Sequence, residues 1–170
     1  LNWGALGQKN YRLGQSPFQK LISKERKLNS QISLRENFDL GWTPPFNNWG
    51  ELSEKYLPIV EAGELTQLLT NSKTAKEYNL VGNAASENES PRSMELHTGD
   101  LEHQDILTKL GTGLYISNLH YLNWSDMMTA RFTGMTRYAC FWVERGEIVG
   151  PIHDLRFDES LYRAWGDELR

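Results

Sequence analysis

One short pattern occurs twice in the chain, as Val60-Glu61-Ala62-Gly63-Glu64-Leu65 and as Val143-Glu144-Arg145-Gly146-Glu147-Ile148. Each copy is an apolar residue, a Glu-x-Gly-Glu turn and a second apolar residue. A glycine in a tight turn supplies the positive φ that other residues resist, and apolar runs on both sides make strands. Each copy therefore predicts a β-hairpin, and two of them commit much of the chain to antiparallel sheet. The residues around the copies do not repeat: the first hairpin runs into a helix-forming segment, the second into Pro151 and Arg156-Phe157-Asp158. They are two distinct hairpins rather than an internal duplication.

The other elements follow from local signals. A strand is predicted around Ser30–Glu36, where Ile32 and Leu34 alternate with polar residues. The first hairpin should run from about Tyr56 to Leu69, with Leu57, Ile59, Leu65 and Leu68 facing inward. Asn71 or Ser72 caps a short helix, Ser72–Tyr78. Met94–His97 reads as a strand, and Asp100 as the cap of a helix ending at Leu110, before Gly111 and Gly113. Further strands are predicted over Leu114–Leu122, Thr129–Thr133, Tyr138–Val143 and Ile148–Ile152, with a turn at Gly134. A final helix from about Asp158 to Leu169 would carry Leu161, Tyr162 and Trp165 as its apolar stripe. Residues 1–20 read as irregular, interrupted by Gly4, Gly7 and Gly14, and residues 82–93 as a mobile surface loop. The fold class is α+β: β-rich, with antiparallel hairpins forming a large sheet or barrel-like core and two or three short helices.

The 170 residues are enough for one domain with a core, and the segments on either side of residues 82–93 are too small to stand alone. The net charge is −4 and the charges are scattered. That argues against nucleic-acid partners, whose phosphates require clustered Lys and Arg. The one local basic run, Lys20 to Lys27, reads as a solvated face. No apolar run is long enough to span a bilayer, so no membrane partner is expected. With a single cysteine, Cys140, no intramolecular disulfide forms, which fits a reducing cytoplasm. The chain starts at Leu1 without a leader pattern, and we expect it to be a fragment of a longer chain.

Candidate chemistry is sparse. The four histidines, His97, His103, His120 and His153, lack zinc-ligand spacing, and Cys140 lies in an apolar run that predicts burial. Ser117 and His120 lie on a strand without a nucleophile elbow. Two segments stand out as contact surfaces. The loop Gly41-Trp42-Thr43-Pro44-Pro45-Phe46-Asn47-Asn48-Trp49-Gly50 carries Trp42, Phe46 and Trp49, either folded onto the core or lining a peptide groove. The run Asp126–Arg137, with Asp126, Arg131 and Arg137 among Thr, Gly and Met, reads as an ordinary strand pair or as a sheet rim contacting peptide or a neighbouring subunit.

The runs Gly113–Ser117, Phe132–Arg137, Phe141–Ile152 and Leu155–Leu161 together resemble the C-terminal region of the TldD/PmbA family. Ser72–Tyr78 followed by Gly82-Asn83-Ala84 resembles the preceding segment of that family. The likeness extends over about residues 30–165. It implies a single C-terminal domain, residues 1–170, of a metallopeptidase-related chain formerly called a modulator of DNA gyrase. It also implies homo- or heterodimers with a family paralogue that act on unfolded or extended peptides. Metal-bearing members hold zinc on a His-Glu-x-x-x-His helix, which is not in this sequence. The resemblance thus assigns no catalytic, cofactor or metal residue here and places any zinc in the parent chain or a partner subunit. The expected role is to shape the peptide groove and the dimer contact. The alternative is a non-catalytic assembly or regulatory module. No residue points to gyrase itself.

Overall fold

The computed structural model describes residues 3–169. The first stretch is not irregular. A 3-10 turn at Trp3–Leu6 leads to helix α1 (Gln8–Arg12) and then to α2 (Gln19–Ile22). Here glycine punctuates rather than prevents helix: Gly7 precedes α1, and Gly14, at φ +69°, follows it.

Strands β1 (Leu34–Asn37), β2 (Tyr56–Glu61), β3 (Glu64–Leu65) and β4 (Met94–Leu96) form an antiparallel sheet in the order β3-β2-β1-β4. Leu57, Ile59 and Leu68 are buried, as the alternation predicted. At the β2–β3 turn, Ala62 and Gly63 both have positive φ, +47° and +81°, the geometry that matches strand twist in a two-residue hairpin. Gly63 has a second duty, because a Cβ there would sit 2.3 Å from the Leu28 carbonyl oxygen. That close approach lets the Leu28 N–H donate to the Gly63 carbonyl (2.9 Å) and the Gly63 N–H to the Ile32 carbonyl (2.8 Å).

Helix α3 (Ser72–Tyr78) starts where predicted, with the Asn71 side chain accepting from the Thr74 N–H at 2.8 Å. The segment after it is packed rather than a free surface loop: Ala85, Glu89 and Ser93 are buried. Two buried carboxylates take the place of apolar anchors. Glu89 accepts from the Lys9 N–H (2.6 Å) and the Asn71 N–H (3.2 Å). Glu36 accepts from the Arg92 and Ser93 N–H groups. Charge-assisted bonds to backbone donors offset the burial of these carboxylates.

After a 3-10 turn at His103–Asp105, helix α4 covers only Ile106–Leu110, so Asp100 lies outside the helix and does not cap it. The second sheet is built on two 14-residue strands, β5 (Gly113–Asp126) and β6 (Arg131–Glu144). Along its other edge β6 pairs first with β8 (Arg156–Ser160) and then with β7 (Glu147–Pro151). Gly134 is therefore no turn: it lies within β6, where a Cβ would meet Leu122 Cδ2 and Phe157 Cζ at 2.7 Å. Its bare backbone is the seat for those two side chains. The turn between β5 and β6 lies at Met127–Ala130. The second Glu-x-Gly-Glu copy closes the β6–β7 hairpin, with Arg145 and Gly146 at φ +52° and +82°.

Pairing of β8 with Arg131–Met135 takes residues expected to begin the final helix. Helix starts only at Leu161 and passes into a π-helical turn, Arg163–Asp167. One core joins the sheets, with Phe18, Leu57, Ile59 and Leu69 packed in the same cluster as Phe132, Leu161 and Tyr162. The Tyr162 hydroxyl donates to the Pro17 carbonyl and accepts from the Leu21 N–H, both at 3.1 Å. Burial pushes its pKa up to about 12. Among the described residues both sheets are open, and no closed barrel forms.

Candidate functional sites on the two sheets

The aromatic loop between β1 and β2 does not fold its rings back onto the core. Trp42 is 70% exposed, and Phe46 and Trp49 are about half exposed. Its shape comes from Asn47, a buried residue that the aromatic pattern did not single out. The Asn47 side-chain oxygen accepts from the Trp49 and Glu51 N–H groups, both at 3.0 Å, and its amide donates to Glu51 Oε2 (2.7 Å) and to the Ala85 carbonyl (3.1 Å). A bridge between Phe46 and Leu52 closes a small ribbon. An Asn pair, Asn47-Asn48, shortly before Gly50 is the available sequence signal for such a side-chain-organised turn.

This ribbon forms one wall of a cavity of about 620 Å³. Glu51, Leu52 and Glu54 line it from the ribbon, Leu57 from β2, Ser72 and Ala75 from α3, and Val81–Ala84 from the following segment. Arg92 fixes that segment to the ribbon by donating to Ser53 Oγ (2.5 Å) and to the Ala84 carbonyl (3.2 Å).

The second candidate group lies on the other sheet. Asp126 ends β5 and Arg131 begins β6, paired across the turn. The Thr129 hydroxyl donates to Asp126 Oδ2 (2.6 Å) and the Met128 N–H to Oδ1 (2.9 Å). These donors, the Thr129 hydroxyl foremost, hold the Asp126 carboxyl below the usual carboxylate range. Arg131 makes an ion pair with Asp158 at 3.2 Å rather than with Asp126. Arg137 stands farther up β6, opposite Asn118 and over the Tyr138 ring, 5.1 Å from its centroid. That is about 20 Å from Arg131 at strand rise. The six residues thus do not converge: three lie on the loop between β1 and β2, two flank one turn and one lies mid-strand.

Near that turn a groove of about 540 Å³ opens over the second sheet. Its lining is mostly apolar: Leu119 and Leu122 from β5, Phe132 from β6, Phe157 from β8, and Ala164, Trp165 and Leu169 from the last segment. Elsewhere the sheet leaves Leu114, Tyr121, Tyr138, Trp142, Ile148 and Val149 exposed. Sequence reasoning assigned these to strands without seeing that no described part of the chain covers them. The missing signal was that β5 and β6 have no strictly alternating polar face.

The residues present do not fit a zinc centre. Among the described residues no three of His, Cys, Asp and Glu converge on one point. Cys140 is buried, with its thiol donating to the Arg137 carbonyl at 3.4 Å. No described helix is long and apolar enough to cross a membrane.

Comparison with known proteins places this architecture. The model of the PmbA/TldA metallopeptidase C-terminal domain matches residues 1–168, and the chain belongs to that family. Three crystal structures share the fold. A candidate modulator of DNA gyrase from Bacteroides thetaiotaomicron has a TM-score of 0.79 at 18% identity over 96% of this chain and 36% of its own. A second candidate gyrase modulator, from Thermotoga maritima, gives 0.76 at 19% identity over 95% and 38%. TldE from Thermococcus kodakarensis gives 0.75 at 13% identity over 96% and 39%. The chain spans little more than a third of each of these relatives. No curated protein sequence matches it.

Proposed function

We propose that these residues form the single C-terminal domain of a longer TldD/PmbA-type chain, either a zinc-dependent peptidase or its metal-free partner subunit. In this reading the domain shapes a groove for unfolded peptide and contributes to the dimer contact. Any metal is held by residues outside this chain. Family membership sets the class, and the second sheet carries the assignment of role. β5 is an edge strand of 14 residues with no Lys, Arg, Asp or Glu between Gly113 and Ser125. Edge strands are ordinarily protected by charge, proline, bulges or cover, and one without charge, proline or cover keeps regular stretches that are a template for a short added strand. The bulges around Ser117 and Tyr121 divide this edge into short regular stretches, suited to a few residues of extended peptide rather than to a long partner strand.

The test is digestion of an unfolded peptide by the parent chain, alone and with a co-expressed paralogue. Cleavage that is lost on zinc chelation, while the isolated 170 residues stay inactive, is the expected result. No cleavage by any combination would overturn the peptidase role and leave the assembly module. Zinc-dependent cleavage by the isolated chain would overturn the division of labour.

A further inference from the structure

We infer that the 620 Å³ cavity between the aromatic ribbon and α3 is a binding site for a primary ammonium or guanidinium group on an aliphatic stem. Among the described residues the ionisable groups in its lining are two carboxylates, Glu51 and Glu54, and no basic residue lines it. Neither carboxylate joins an ion pair among the described residues. The contrast with the other large groove is direct, since its two acids, Asp158 and Glu159, are neutralised by Arg131 and Arg163 at 3.2 and 3.3 Å. Glu51 uses Oε2 to accept from Asn47, which orients the group and leaves Oε1 without a partner among the described residues. Leu52 and Val81, which line the cavity from the ribbon and from the segment after α3, are 74% and 92% exposed. Such exposure of apolar side chains beside unpaired carboxylates matches an occupant with an alkyl stem and a cationic head, because the stem desolvates the lips as the head meets the acids. The size is that of an ordinary small-ligand pocket. This inference does not rest on the peptidase reading: the cavity lies on the first sheet, and its ligand chemistry stands whether or not peptide is cleaved.

The test is an amide chemical-shift titration of the 170-residue chain with three probes. Nα-acetyl-lysine methylamide carries stem and charge, Nα-acetyl-norleucine methylamide has no charge, and n-butylamine has no peptide groups. Saturable shifts confined to residues 51–54, 72–75 and 81–84 are expected with the lysine probe, with the norleucine probe about ten-fold weaker. The Glu51→Gln/Glu54→Gln variant should lose about ten-fold in affinity for the lysine probe while keeping its urea midpoint, because the amide oxygen introduced at position 51 can still accept from Asn47. Glu54→Gln alone, at an exposed position, should give a part of that loss. Butylamine binding as tightly as the lysine probe supports a site for free amines, and weaker binding supports a site for a side chain on a peptide. Equal affinity for lysine and norleucine probes, indifference to the double substitution, or no shift up to about 5 mM would each overturn the inference.

Discussion

The two sheets use similar strands to opposite ends. In the first, β2 turns Leu57, Ile59 and Val60 into a closed interior, and even its polar anchors, Glu36 and Glu89, are buried and bonded to backbone. In the second, β5 to β7 leave Leu114, Tyr138, Trp142, Ile148 and Val149 in solvent. Apolar side chains left without cover are a surface for something else to pack on. The difference separates the part of the chain that sustains the fold from the part that, in our reading, works through contacts.

Substitutions break this comparison in a graded way. The largest effect is expected at Ile59, fully buried in β2: Ile59→Ala should cost about 2–5 kcal/mol in urea unfolding. A cost under about 1 kcal/mol would show that the first sheet is not the stabilising one. The two Glu-x-Gly-Glu turns come next. Gly146→Ala should cost about 1–3 kcal/mol, since the new Cβ would meet both the positive φ and a tight 3.2 Å approach to Thr108 Cα. Gly63→Ala should cost more, because a carbonyl oxygen stands 2.3 Å from the new Cβ. Equal losses at the two turns would remove the clamp to Leu28. Asn71→Ala, which strips the cap from α3, should cost about 0.5–2 kcal/mol.

Much of this was legible in the sequence where one residue decides one local geometry. The glycines at 63 and 146 and the Asn71 cap are such cases. The reading failed where a distant strand overrode a local signal. Gly134 carries the mark of a turn, yet its role is to leave room for Leu122 and Phe157, which lie 12 and 23 positions away. Asp158, Glu159 and Ser160 directly precede the apolar stripe of Leu161, Tyr162 and Trp165 and read as its first helical turn, yet β6 claims them through a ladder over 20 residues removed. Glu36 and Glu89 look like surface acids because their donors, at Arg92, Ser93, Lys9 and Asn71, become neighbours only in the fold. Of the candidate site little was legible: Trp42, Phe46 and Trp49 were read as a candidate groove lining, but they are not among the residues that line the cavity, and Glu51, Glu54 and the apolar groove under Leu119 carry no motif that marks them.

Smaller effects sharpen the comparison. Tyr162 joins the sheets, and its neutral form is favoured by burial, with a folded pKa near 12 against 10.0 for an unburied phenol. The unfolded chain gives up this proton first, so the stability contributed by Tyr162 is complete below pH 10 and is lost as pH rises toward 12. Tyr162→Phe should flatten that alkaline slope, and an unchanged slope would assign it to other groups. The smallest effect belongs to the open sheet: Ile148→Ser should change stability by about 0.5 kcal/mol or less. A loss like that at Ile59 would mean that β7 is part of the core.

The central claim, that the second sheet is a surface for extended peptide, is tested most directly by amide hydrogen exchange. The chain would be measured alone and with an unfolded peptide lacking Lys and Arg, which also keeps the acidic cavity silent. New protection is expected in β5 between Gly113 and His120, with none in β1 to β4. Protection that leaves β5 unchanged, or that falls on the first sheet, would contradict the claim.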